Sequence, residues 1–509
     1  MNETILAIDL GTTSVKTAII DRDGQVLSSA TREYQLSTPK QNWIECSAET
    51  YWNAFEHGLK QIIDEKPDYA RNIVAIGISA QGETLFVLDD NMAPLRNAIV
   101  WMDNRSVKEA DTLRARFGDE ICYHTTGQVR FDPCWPAAKI LWLRENEPDL
   151  FRKISKFLLI EDWFIYRLTG KLVSEGSLLC STCYWDIIKK DWWLEMLDFL
   201  DITTRQLPEI REPGEAIATL KPEVAKELGL FENVIVCTGA LDQAAGAIGV
   251  GNIHQGIFSE NIGAALAICA PVDKPIFDPN RAIPIHYFGI PDMYMLHTFT
   301  TGGMAIRWYR DQFCLSEMNV ESSGGGNAYA LMDAAAAKVP VGSNGLIVLP
   351  HLGGSMAPDI NPKARGVFFG FTLKHTRAHF ARAIMESIGY IIRRNIDALS
   401  NIGLDVNEIR SLGGGSKSPL WNQIKADITG IPLVLMNSPE AACLGAAILA
   451  GKAIELFESI DGACCNMIVP KMRFEPNAKN QDVYADGYKS YQQIFQNLAS
   501  SFEATFERS

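Results

Sequence analysis

The 509-residue sequence is poor in the features that would place it in a membrane, on nucleic acid or outside the cell. No run of 18 apolar residues is free of charge. The nearest approach, Val234 to Gly251, is broken by Asp242 and loosened by several glycines, so it is not a membrane span. The amino-terminal stretch MNETILAIDLGTT has no basic segment and meets an acid at Glu3, so no secretory signal peptide is expected. Basic charge is in deficit: 47 Lys and Arg against 61 Asp and Glu give a net charge of −14. That balance argues against broad binding to nucleic acid or to an anionic membrane surface, and leaves anions only local pockets. The 11 cysteines are odd in number and have no framework spacing, which fits reduced, buried thiols in a cytoplasmic protein. None of the 8 histidines stands at metal-ligand spacing from a cysteine or an acid, and His375 and His379 lack the glutamate of an HExxH helix. The GxSxG elbow, the Walker loop and the dinucleotide fingerprint are also missing. What remains is an ordinary soluble composition, 47% apolar and 21% charged, at a length that implies more than one core.

The chain repeats itself coarsely. Residues 4–9 form an apolar strand ending in an acid. A turn at Gly11-Thr12-Thr13-Ser14 comes next, then a strand from Val15 to Asp21 and a hairpin turn at Asp23-Gly24. Near the middle, Gly256 to Ser259 leads to Asn261-Ile262-Gly263-Ala264-Ala265 and a strand from Leu266 to Cys269. Two strand–glycine–strand hairpins, one near the start of each half, predict two related α/β domains. Glycine and small residues cluster at 249–256, which sets the expected boundary: a first domain over residues 1–250 and a second over 251–509.

Four segments carry residues suited to chemistry. In Asp9-Leu10-Gly11-Thr12-Thr13-Ser14, glycine allows close backbone approach, the hydroxyls of Thr12, Thr13 and Ser14 can donate to phosphate, and Asp9 can hold Mg²⁺ through water. In Gly413-Gly414-Gly415-Ser416-Lys417, the run of glycines before a helix that starts near Pro419 offers bare backbone to a flat ligand or a phosphate. The small-residue segment Glu440 to Ala447 reads as a packing helix. Asp242, at the end of the strand Val234–Cys237 and the first turn of a helix, suits a carboxylate that takes a proton from a substrate hydroxyl, or equally an N-cap. Gln81-Gly82-Glu83, with Trp101, Asp103 and Arg105, offers polar groups for a polyhydroxylated ligand. The tryptophans from Trp185 to Trp193 read mainly as core.

In this order and spacing the segments resemble the FGGY family of carbohydrate kinases over essentially the whole chain. The resemblance runs through Ile8 to Lys16, Trp101-x-Asp103-x-Arg105, Pro136-Ala-Ala-Lys139-Ile-Leu-Trp142, Gly239-Ala-Leu-Asp242-Gln243, Gly302-Gly303, Gly413 to Trp421 and Glu440 to Gly445. It implies two actin-like (ribonuclease H-like) α/β domains with an interdomain catalytic cleft. The implied reaction is transfer of the γ-phosphate of ATP, with Mg²⁺, to a sugar or polyol hydroxyl.

By position, Asp242 would be the base, Asp9 would sit near Mg²⁺, and Thr12 to Ser14 near the outer phosphates. Gly263-Ala264 and Gly302-Gly303 would meet the phosphates, and Gly414, Gly415, Ser416 and Lys417 the adenosine. Gln81, Gly82, Glu83 and Gln243 would line the substrate pocket. Two departures stand out. Many members have a hydroxyl where this chain has Ala264-Ala265, and xylulose kinases usually have Gln-Met-His where it has Gln81-Gly82-Glu83. A short ketose such as xylulose is the first expectation. The alternatives are another polyol or a sugar acid (glycerol, gluconate, erythritol or autoinducer-2 type), an actin-like ATPase acting as chaperone or filament, and a nucleotide-gated sugar sensor without turnover. The expected partner is a small molecule, with no nucleic acid and no membrane; a homodimer is expected only by family analogy.

Overall fold

The structure, a computed structural model, describes residues 3–506. It divides into two compact units: residues up to Ile253 with Val272–Met295 and Ser438–Val469, and His254–Pro271 with Leu296–Asn437 and the chain from Pro470 onward.

In the first unit the strands are β1 (Thr4–Leu10), β2 (Ser14–Asp21), β3 (Val26–Glu33), β4 (Ile73–Ala80), β5 (Ala216–Thr219), β6 (Ile235–Cys237) and β7 (Ala240–Leu241). Their order in the sheet is β5-β6-β4-β1-β2-β3, with β7 pairing on the end of β4. The β1–β2 hairpin is antiparallel, and β4 lies parallel to β1, placing Asp9 beside both Lys16 and Ser79. β1 and β4 are near-continuous runs of Ile, Leu, Val and Ala and are almost wholly buried, as expected of strands covered on both faces. Three helices of this unit carry or support the residues at the ends of these strands: α1 (Pro136–Asn146), α2 (Ile160–Thr169) and α3 (Asp242–Gly249).

The second unit repeats the plan. β8 (Ile257–Ile262) and β9 (Ala265–Val272) form an antiparallel hairpin, β10 (Tyr294–Thr301) lies on its far side, and β11 (Glu408–Gly413) runs parallel to β8. The order is β10-β9-β8-β11-β12-β13, with β12 at Leu433–Met436 and β13 at Pro470–Phe474. Helix α4 (Gly303–Phe313) comes after β10, and α5 (Pro419–Thr429) after β11. The repeated hairpin with a parallel neighbour is the duplication read from the sequence, and it gives each unit the expected actin-like arrangement.

The chain then returns to the first unit as α6 (Ala441–Ala453). This helix packs on α3 and β4 almost backbone to backbone: a Cβ at Gly445 would lie 1.9 Å from the carbonyl of Ala245. Its small residues therefore serve close packing against α3. Eight of the cysteines outside the 464–465 pair are buried, Cys465 is exposed, and all are free thiols. Trp185 and Trp193 are core residues. Among the described residues no helix is long and apolar enough to cross a membrane, and no group of three or more His, Cys, Asp or Glu could hold a metal.

Candidate active site

Three parallel strands of the first unit, β1, β4 and β7, end at the same level. Asp9 pairs in register with Ser79, and Ala240 and Leu241 pair with Ser79 and Ala80. The residues at and just beyond these ends are Asp9, Gln81 to Glu83 and Asp242, so three segments distant in sequence converge at one sheet edge, where open α/β sheets bind ligands.

Asp9 accepts a hydrogen bond from Ser79 Oγ at 2.9 Å. Burial raises its carboxyl above the usual range, against the pull of Ser79 and Lys16. The Lys16 ammonium is drawn onto Glu440, the residue just before α6. Asp9 is thus one desolvated carboxylate with its nearest cation engaged elsewhere. This donor set fits an ion that keeps most of its waters, as Mg²⁺ does, and not a cage of protein ligands.

The turn after Asp9 is fixed by Gly11 N–H donating to Ser14 O at 3.1 Å and Tyr34 N–H to Thr13 O at 3.0 Å. Thr13 is exposed, and Thr12 and Ser14 are half-buried. The Trp101 indole N–H donates to Thr12 Oγ1 at 2.8 Å, and the Trp101 backbone N–H to Thr84 Oγ1 at 3.3 Å. Trp101 therefore ties the hydroxyl turn to the segment 81–84. The Gln81 side-chain amide donates to Gly11 O at 3.2 Å, while its buried Oε1 has no protein partner and is available to a hydroxyl donor.

Glu83 holds a positive φ of 58°, a strained setting for a residue with a side chain, of the kind found at ligand-binding sites. Beneath it lies Lys139 of α1, fully buried, with its ammonium donating to Glu83 O at 2.8 Å and Val100 O at 3.1 Å. Burial pushes the Glu83 carboxyl up, opposed by Lys139 and Ser181, and pushes Lys139 down. Lys139 was legible in the sequence only as a lone charge in the apolar run Ala137 to Leu143; Ser181 left no signal.

Asp242 opens α3 and is half-buried. Burial first, then the charges of Asp9 and Glu83, hold its carboxyl at about 7, against hydrogen bonds from the Gln243 backbone and side chain. A carboxyl poised there near neutrality is suited to accept a proton.

Asp103 and Arg105 are placed differently from the rest. Arg105 grips Asp103 through Nε at 2.8 Å and Nη2 at 2.7 Å, donates to Glu45 at 2.7 Å, and stacks 3.8 Å over the Trp43 ring. Both side chains are fully enclosed, so this pair braces the segment that carries Trp101.

In the second unit the turn between β8 and β9 is bare backbone. Gly263 and Ala264 are exposed. Gly303 N–H donates to Gly263 O at 3.1 Å and Met304 N–H to Ala264 O at 2.8 Å, so the first turn of α4 sits on this hairpin. A Cβ at Gly302 would lie 2.3 Å from Ala265 C, so only glycine permits the approach. The Gly413–Lys417 segment adjoins the same strand: a Cβ at Gly415 would meet Ile262 at 2.6 Å. Ser416 Oγ closes that segment on Gly413 O at 2.8 Å, Gly414 and Lys417 are exposed, and Ser418 caps α5 through Trp421 N–H at 3.0 Å.

Comparisons with known proteins identify the family. The family model for the FGGY family of carbohydrate kinases, N-terminal domain, matches residues 4–249, and the C-terminal domain model matches residues 271–454. A xylulose kinase of Lactococcus lactis is 30% identical, with 97% of each chain covered. A gluconate kinase from Lactobacillus acidophilus superimposes with a TM-score of 0.91 at 28% identity, over 99% of this chain and 100% of that one. A ligand-bound xylulose kinase from the same species gives a TM-score of 0.90 at 28% identity, with the same coverage. Duplicated hairpins, a near-neutral aspartate at a strand end and full-length similarity lead to one conclusion: this chain belongs to the FGGY family of carbohydrate kinases and is an ATP-dependent sugar phosphotransferase.

Proposed function

We propose that the chain phosphorylates a hydroxyl of a neutral short ketose, xylulose-like, with Asp242 as the base. The observation that carries this reading is the Asp242 carboxyl, desolvated and held at about 7 beside Asp9 and Glu83. Gln81, Glu83 and Gln243 present hydrogen-bonding groups to the sugar, with Gly82 between them packed close to Leu241 and Ser181, and Trp101 closes the side towards Thr12. Asp103 and Arg105 position Trp101 and do not reach the substrate. The nearby cations are engaged by protein groups, Lys139 on two carbonyls and Arg105 on Asp103 and Glu45. Neither of these two cations is left to neutralise a substrate carboxylate, which favours a neutral sugar over a sugar acid.

Thr12, Thr13 and Ser14 take the outer phosphates, with Asp9 as the protein anchor for hydrated Mg²⁺. Gly263, Ala264, Gly302 and Gly303 offer backbone to the phosphates, and Gly414, Gly415, Ser416 and Lys417 flank the adenosine. On this assignment the first domain, to about residue 250, binds sugar and supplies the base, and the second binds nucleotide. Mg²⁺ bound with ATP supplies charge neutralisation for phosphoryl transfer. Asp242 orients the attacking hydroxyl and takes its proton as the bond to phosphorus forms.

Phosphate transfer from labelled ATP to a panel of ketopentoses, alditols and aldonates tests the reading. Xylulose or a neutral relative should be the preferred acceptor. Preferential transfer to an aldonate would overturn the substrate class. ATP hydrolysis indifferent to sugar, or tight sugar binding without product, would overturn turnover as a kinase.

A further inference from the structure

The two-residue strand β7 has a ladder partner on one side only. It pairs with the end of β4, while the antiparallel neighbour β5 begins at Ala216, opposite Cys237. Past that point the N–H groups of Gly239 and Leu241 would point at nothing, and a buried, unpaired N–H costs about 1–3 kcal/mol. Side chains take the place of the missing strand. Gly239 N–H donates to Glu161 Oε1 at 2.7 Å, and Leu241 N–H donates to Ser177 Oγ at 2.9 Å. Ser177 is itself fixed by Glu175, through Oγ to Oε1 at 2.7 Å and N–H to Oε2 at 2.6 Å. Glu161, Glu175 and Ser177 are all 0–1% exposed. They come from the first turn of α2 and from a short strand and turn at 173–179, elements far in sequence from the residues they hold. The residue after Leu241 is Asp242.

We infer that Glu161 and the Glu175–Ser177 pair are positioning residues that set the place of the Asp242 carboxylate by holding the backbone N–H groups of Gly239 and Leu241. The inference rests on the reading of Asp242 as the base. The geometry explains an otherwise costly feature: two carboxyls are sunk in the core where apolar side chains would pack at less expense. Burial, with Glu175 and Asp162 nearby, pushes the Glu161 carboxyl well above the usual range. An uncharged acceptor oxygen is therefore all that the clamp requires of it. Misplacing a base by about 1 Å can cost as much as 100-fold in rate, so the clamp acts on kcat rather than on substrate affinity.

The test compares Glu161→Gln, Glu161→Leu and Ser177→Ala in the full-length protein, with ATP and D-xylulose as the assay pair and kcat normalised to folded protein. Glu161→Gln keeps an acceptor oxygen and should hold kcat within about threefold of wild type. Glu161→Leu, close in volume but without the oxygen, should lower kcat by about tenfold or more. KM for both substrates should stay within about twofold, and the acid limb of the kcat/KM profile should move as the surroundings of Asp242 change. Ser177→Ala deletes one oxygen from the other arm, is mild enough to fold if the leucine variant is not, and should lower kcat by about threefold or more.

Wild-type kcat in both Glu161→Leu and Ser177→Ala, or a loss in Glu161→Gln as large as in Glu161→Leu, would overturn the clamp. Asp242→Asn measured alongside separates the two readings. An inactive Asn variant with unaffected clamp variants removes the clamp alone, whereas a fully active Asn variant removes the base and the clamp together.

Discussion

The two hairpins that begin the two units share a backbone plan and differ in what they offer a ligand. The first, between β1 and β2, ends its leading strand in Asp9 and carries three hydroxyls, Thr12, Thr13 and Ser14, braced by Trp101. The second, between β8 and β9, has Gly263 and Ala264 and offers only main chain, with the first turn of α4 hydrogen-bonded to it. Hydroxyl side chains and a titrating carboxyl cluster belong to the first hairpin's sheet, whereas the second hairpin presents main chain, with Gly263 N–H closed on Ala265 O at 2.9 Å.

The largest test of this division is Asp242→Asn. With its carboxyl gone, kcat should fall by about 100-fold or more while nucleotide binding, measured by calorimetry, is retained. An Asn variant that keeps wild-type kcat and only raises KM for ATP would reverse the assignment of roles. Next comes Gly302→Ala. Its Cβ would lie 2.3 Å from Ala265 backbone, forcing the α4 start off the hairpin. KM for ATP should rise by about tenfold, with sugar binding by calorimetry unchanged.

The pH dependence sharpens the contrast. Asp242 is held at about 7, so it binds a proton in the folded state between about pH 4 and 7 that the unfolded chain has released. Asp162, also pushed by burial to about 7, behaves alike. The folded form therefore holds the extra protons, and stability contributed by these groups falls as pH rises from about 4 through 7. Tm should decline from about pH 5 to about pH 8. Activity should do the opposite, rising as Asp242 loses its proton. Glu83→Gln, by removing a neighbouring negative charge, should shift the acid limb of kcat/KM to lower pH. An unmoved limb would dissociate Glu83 from Asp242.

The smallest effect belongs to the second hairpin. Ala264→Ser restores a hydroxyl and should lower KM for ATP by about 2- to 10-fold, the value of one hydrogen bond. The pH profile should not change. If it does, the backbone cradle and the carboxyl cluster are not separate devices.

The duplicated hairpins, the glycine segments and the place of Asp242 at a strand end were legible because they depend on local rules: strand periodicity, turn residues and a helix start. Motif position marks Asp103 and Arg105 as ligand groups but says nothing about pairing. In the structure they are paired with each other, and Arg105 stacks on Trp43. Lys139 showed as a charge in an apolar helix without showing what it held. Glu161, Glu175 and Ser177 gave no local sign at all.

The amino-acid sequence by itself determined which segments form strand–turn–strand units, where glycine admits close backbone approach, and the family to which this order of motifs belongs. Only the tertiary structure decided that α6 returns to pack on α3, that Glu440 draws Lys16 from Asp9, and that two buried glutamates hold the strand leading to Asp242. The reason is physical. Turn and strand preferences act between neighbours, whereas desolvation and pairing depend on which distant segments share one interior, and that is set only when the chain folds.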